Sequence, residues 1–78
     1  ETDLKNAEFF KAKMQSAHLE KADISGAKFE QADINDAFFA GIITTPETLK
    51  SLTKAFNWQK AHFDEEIRAQ LEKLVTKV

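Results

Sequence analysis

Cysteine is absent from this 78-residue chain, so neither a disulfide framework nor a thiolate metal site holds it together. With only two glycines and one proline, it is no disordered linker and has no glycine-rich loop to cradle a phosphate. No charge extreme is present either. Eleven Lys and Arg stand against thirteen Asp and Glu, a formal net charge of −2 that fits neither a basic nucleic-acid surface nor a polyacidic tail. No apolar run approaches the roughly 20 residues that span a bilayer, so no membrane insertion is expected. No targeting signal and no Asn-x-Ser/Thr acceptor is visible in the residues shown, which leaves the compartment open. The composition, 42% hydrophobic and 31% charged, is that of a soluble globular domain, yet at this length a core without staples is marginal.

What the sequence has in abundance is a repeat. Ala7, Ala12, Ala17, Ala22, Ala27, Ala32 and Ala37 recur every fifth residue. Two positions after each stands a large apolar side chain: Phe9, Met14, Leu19, Ile24, Phe29, Ile34 and Phe39. Thr2-Asp3-Leu4-Lys5-Asn6 extends the series backward with Thr in the small slot, giving eight units from Thr2 to Gly41. The other three positions of each unit are mostly polar.

A period of five fits no regular element. On a helix five residues advance about 500°, a net 140°, so the apolar positions would wander over every face. On a continuous strand an odd step flips each successive unit to the opposite face. The chain must therefore turn once per unit, winding short extended pieces around a narrow core with the same two side chains inward.

The units Ala22-Asp23-Ile24-Ser25-Gly26 and Ala32-Asp33-Ile34-Asn35-Asp36 resemble the pentapeptide-repeat family, whose pattern is Ala, Asp or Asn, a large apolar residue, then two variable positions. The resemblance covers Thr2 to Gly41, about half the chain, and implies a β-solenoid: a right-handed quadrilateral β-helix with four units per coil, here two coils. It departs from the pattern where Thr2 replaces Ala and where Lys, Glu, His or Phe takes the second slot. Four units per coil stack Leu4 with Ile24, Phe9 with Phe29, Met14 with Ile34 and Leu19 with Phe39 as the structural core. The same stacking sets Glu8 over Lys28 and Lys13 over Asp33, and sets Asp3 unfavourably over Asp23.

Residues 42–78 are expected to form a helical capping segment after the β-helix of residues 1–41. Thr45 with Pro46 at the first helical position, or Thr44 with Glu47 as a capping box, begins a helix whose apolar side is Leu49, Leu52 and Phe56 and which ends near Asn57. Asp64 caps a second helix, with Glu65 and Glu66 in its first turn and an apolar stripe of Ile67, Leu71, Leu74 and Val78. Together these cover Phe29, Ile34 and Phe39, with Trp58 and Phe63 as anchors. The stretch Asn57 to Asp64 is similar to tails that follow the repeats in some cyanobacterial and chloroplast pentapeptide proteins, an implied setting of cytoplasm or thylakoid lumen. At the other end residue 2 is already in repeat phase, so the unpaired edge calls for additional coils or a docked protein partner, and the isolated piece should self-associate or be unstable.

Catalytic chemistry finds no foothold. His18 and His62 lie in different segments without a Cys or a helical His partner, and Asp64, Glu65 and Glu66 are acids placed where a helix N-terminus favours them. No enzyme, no cofactor, no metal and no direct nucleic-acid contact is expected. Phe10, His18, Leu74 and Val78 are the candidate contact residues, with a homo-oligomer as one option. The functional expectation is a non-enzymatic scaffold or protein-protein interaction module, a subunit or assembly element of a larger complex. The alternative that the resemblance implies is a DNA-mimicking regulator of a type II topoisomerase, in the manner of gyrase protection. Against it, residues 1–41 carry eight acids and five lysines, net −3, interleaved and not gathered on one face.

Overall fold

A computed structural model describes residues 2–76. From Thr2 to Gly41 the backbone winds through two stacked coils. Parallel bridges pair Asp3 with Asp23, Glu8 with Lys28, Lys13 with Asp33 and His18 with Phe38, each spanning 20 residues, or four units. The N–H groups of Leu4, Phe9, Met14 and Leu19 donate to the carbonyls of Asp23, Lys28, Asp33 and Phe38 at 2.8–2.9 Å. Those four partner residues donate back to Thr2, Ala7, Ala12 and Ala17, also at 2.8–2.9 Å. Every pairing is a single bridge, so no continuous strand forms among the described residues.

The corners explain the period. Within a unit the next alanine N–H reaches back three residues, as Ala12 does to the Phe9 carbonyl at 3.0 Å. The residue just before that alanine has positive φ, which makes the corner a type II turn. Gly26 and Gly41 hold this slot at φ 76° and 71°, but Asn6, Lys11, Ser16, Lys21, Gln31 and Asp36 hold it too, at 59–64°. The sequence marks only the two glycines as permissive, because six of the eight slots carry ordinary side chains that bear the left-handed cost. Asp3, Asp23 and Asp33 brace three of these corners, each carboxylate accepting from the N–H two residues on (Lys5, Ser25 and Asn35) at 3.0–3.1 Å.

Burial rises along the stack. Ile24, Phe29, Ile34 and Phe39 are fully buried, with Ala22, Ala27, Ala32 and Ala37 beside them. Met14 is buried, while Leu4, Phe9 and Leu19 are half-buried, since among the described residues the first coil has a neighbour on one side only. Phe9 stacks on Phe29 at 5.1 Å between ring centroids, and Phe63 stacks on Phe39 at 4.8 Å.

The repeat pattern ends at Gly41, but the pairing does not. Ile43 bridges Asp23, Phe56 bridges Asp33 and His62 bridges Phe38, so the tail supplies three sides of a further coil. The remaining side, the second, is helix α1 (Pro46–Leu52), N-capped by Thr45, whose Oγ1 accepts from the Thr48 N–H at 3.3 Å. The helix ends at Leu52 and not near Asn57, because a turn closing from the Ala55 N–H to the Leu52 carbonyl at 3.1 Å returns the chain to the ladder. Phe56 therefore leaves the apolar side expected of it and stands outward, 57% exposed. A single 3-10 turn, Trp58–Lys60, buries Trp58. Helix α2 (Glu65–Val75) then buries Leu71 and half-buries Ile67 and Leu74. Asp64 occupies its N-cap position without capping it; the carboxylate instead accepts from the Gly41 N–H at 2.9 Å. Arg68 fastens α2 to the tail by donating to the carbonyls of Gln59 and Ala61 and lying 5.7 Å from the Phe63 ring centre. Val78 and Lys77 lie outside the described residues.

Candidate interaction surface

Because the coils keep strict register, outward side chains fall into columns. On the first side Asp3 stands over Asp23, and the repulsion expected there is relieved by Lys5, whose Nζ lies 3.4 Å from Asp3 and 3.5 Å from Asp23. Hydrogen bonds from the Lys5 N–H and ammonium hold the Asp3 carboxyl below the usual carboxylate range, and Asp3 in turn raises Lys5. Asp23 is lowered chiefly by the hydroxyl and N–H of Ser25. Glu8 over Lys28 and Lys13 over Asp33 are stacked as the register requires, yet neither pair closes to an ion pair among the described residues.

Asp33 is occupied otherwise. Its carboxylate accepts from Asn57 Nδ2 at 3.0 Å, from the Asn35 N–H at 3.1 Å and from Gln15 Nε2 at 2.8 Å, tying the first coil, its own coil and the tail together. Those donors, Asn57 first, lower its pKa. Neither Gln15 nor Asn57 stands out in the sequence; the signal is their placement 18 residues before and 24 residues after Asp33, near the coil repeat.

On the fourth side His18, Phe38 and His62 form a ring ladder with centroids 4.6 and 4.7 Å apart and planes within 9° of parallel. Glu20 lies 3.2 Å from His18 Nδ1, and Asp36 lies 3.8 Å from His62 Nε2. The Glu20 carboxyl is lowered by its own backbone N–H and then by His18. Both histidines are exposed, while Phe38 between them is half-buried. Phe10, on the second side, is 50% exposed.

No group of three or more His, Cys, Asp and Glu among the described residues is placed to hold a metal ion. A shallow cleft of about 340 Å³ runs along the corner lined by Thr2, Asp3, Lys21, Asp23, Gly41 and Ile43. It is open to solvent, and its carboxylates are already engaged by Lys5 and Ser25, so it offers no assembled nucleophile or acid-base pair. No described helix is long and apolar enough to cross a membrane. What the geometry provides is a fixed lattice of outward groups.

A family model for pentapeptide repeats matches eight copies over residues 2–41, just over half of the chain. No curated protein matches the sequence. The five-residue alanine series, the twenty-residue bridges and the eight matched units agree, and the chain belongs to the pentapeptide-repeat family.

Proposed function

We propose that this chain is a non-enzymatic scaffold or protein-interaction module, with residues 1–41 forming a right-handed quadrilateral β-helix and residues 42–78 its C-terminal capping segment. The observation that carries the reading is the register itself: single bridges every 20 residues hold outward side chains in fixed columns. A partner docking on such columns orders few side chains or loops, which lowers the entropic cost of association. Phe10 and the His18 end of the ring ladder are the contact residues of this surface, both exposed and both on the first coil. The outer edge of that coil adds unpaired donors, since the N–H groups of Asp3, Glu8, Lys13 and His18 bond to no described residue. Further coils or a partner's extended segment would satisfy them.

Duplex mimicry by a topoisomerase regulator requires a continuous negative face. Here Lys5 sits between Asp3 and Asp23, and Lys13 stands over Asp33, which favours the scaffold reading. The two separate in one pair of experiments. Affinity capture with the full-length protein from its source cells is expected to recover a partner that the Phe10→Ser and His18→Ser variants lose at unchanged melting temperature. A gyrase supercoiling assay is expected to show no effect; inhibition or protection there would overturn the scaffold reading.

A further inference from the structure

Helices α1 and α2 pack side by side and leave a groove between them of about 230 Å³, lined by Pro46, Leu49 and Lys50 on one wall and Gln70, Lys73 and Leu74 on the other. Each wall presents residues at i, i+3 and i+4, so two helical ridges face one another across an apolar floor. Leu49 and half-buried Leu74 make that floor, and the exposed side chains of Lys50 and Lys73 stand on opposite rims. Neither lysine is in an ion pair among the described residues, and no acidic side chain lines the groove, although Glu47 and Glu72 lie elsewhere on the same helices. The cavity is smaller than the roughly 300–1,000 Å³ of a pocket for a drug-sized ligand, which suits an apolar side chain or two and not a cofactor.

From these features we infer that the groove between α1 and α2 docks an acidic peptide segment of a partner protein, with an apolar anchor side chain between carboxylates that meet Lys50 and Lys73. Charge decides the occupant. A second copy pairing through the same patch about a two-fold axis would present the same lining, two lysines and no acid, to Lys50 and Lys73. An acidic segment neutralises both cations while its anchor covers Leu49 and Leu74. The inference extends the interaction-module reading but uses a surface separate from the coil columns, so the two can fail independently.

The test is a nitrogen-15 titration of the full chain with a synthetic twelve-residue peptide carrying a Leu-Leu anchor flanked by glutamates. Saturable shifts are expected at Leu49, Lys50, Gln70, Lys73 and Leu74, and none at Phe10 or His18. The double variant Lys50→Glu with Lys73→Glu should weaken binding by about tenfold or more, while Lys60→Glu, on the 3-10 turn and outside the groove lining, changes it less than twofold. Raising salt from about 50 to about 300 mM should weaken the wild-type complex several-fold. Equal binding of a lysine-flanked peptide would overturn the proposal. So would shifts scattered away from the groove, tighter binding to vesicles of anionic phospholipid, or sedimentation showing that the groove closes on a second copy. Loss of peptide binding with capture through Phe10 and His18 intact would remove this groove and leave the module reading standing.

Discussion

The Phe29 backbone N–H donates to Ser51 Oγ at 2.6 Å, where the regular ladder would place a carbonyl of the next coil. The Ser51 hydroxyl in turn donates a hydrogen bond to Glu30 Oε1 at 3.0 Å. One turn earlier on α1, Thr48 Oγ1 accepts from the Gly26 N–H at 2.8 Å and lies 3.3 Å from the Ile24 carbonyl. A helix has no free carbonyls along its side, so two hydroxyls spaced i, i+3 replace the missing acceptors and let α1 close one side of the stack.

Removing the Ser51 hydroxyl is therefore expected to strand a buried donor. Ser51→Ala should cost about 1–3 kcal/mol of stability, while Lys54→Ala, exposed and two residues beyond the helix, should stay within about 0.5 kcal/mol. Urea unfolding midpoints at constant slope provide the comparison; equal midpoints for the two variants would refute the substitution of hydroxyl for carbonyl.

The left-handed corners predict opposite signs for two changes. Gly26→Ala places a Cβ at φ 76°, 2.2 Å from Asn6 Oδ1 unless that side chain moves, and should destabilise by about 1–2 kcal/mol. Gln31→Asn keeps a side chain but tolerates φ 64° better, and should raise the thermal midpoint slightly, by no more than about 1 kcal/mol in stability. Differential scanning calorimetry on both variants checks the pair.

Burial along the stack can be read by one substitution at equivalent positions. Ile24→Ala, at a fully buried site, should cost about 2–5 kcal/mol, and Leu4→Ala, one coil earlier and half-buried, distinctly less. Equal losses would mean that the first coil is covered as well as the second.

Acid should weaken the fold through its corner and ladder carboxylates. Asp3, Asp23, Asp33 and Glu20 all have folded-state pKa values below their unfolded ones. The unfolded chain thus takes up more protons on acidification, so the stabilisation is present above the unfolded carboxylate range and is lost as pH falls through the lowered values. All four are solvent-accessible, and salt should mute the effect. Urea midpoints measured from about pH 6 down to about pH 2 should decline, and Asp33→Asn should flatten that decline.

How much of this was written in the sequence differs by region. The alternation of Ala and a large apolar residue at fixed spacing of five discloses the two coils, their register and the inward set from Leu4 to Phe39, because each unit repeats the same local conformation. The tail disguises the same geometry. Ala55 and Phe56 are followed by Ala61 and His62 six residues on, not five, with the extra step taken up at Asn57 in the left-handed region at φ 64°. That slip hides the pairing of Phe56 and His62 with the coils. Thr48 and Ser51 are hidden for a different reason: on a short polar helix a hydroxyl reads as a surface group until the ladder it terminates is in view. The contact surface was legible only as a list of exposed slots, since the contacts of Lys5 with two coils and of Asp33 with three segments depend on side-chain reach.

The closure of the stack by α1 also sets a direction for biosynthesis. A ribosome releases Leu4 and Phe9 before the rest of the stack, yet the best-covered layer, Ile24 to Phe39, is sealed by Leu52, Trp58, Phe63 and Leu71, which emerge later. Translation order thus runs opposite to the order of protection. The coils wait, partly open, for the segment that latches them, and a force profile from a translation-arrest series should place the folding step after the emergence of Leu71 and not at the completion of Gly41.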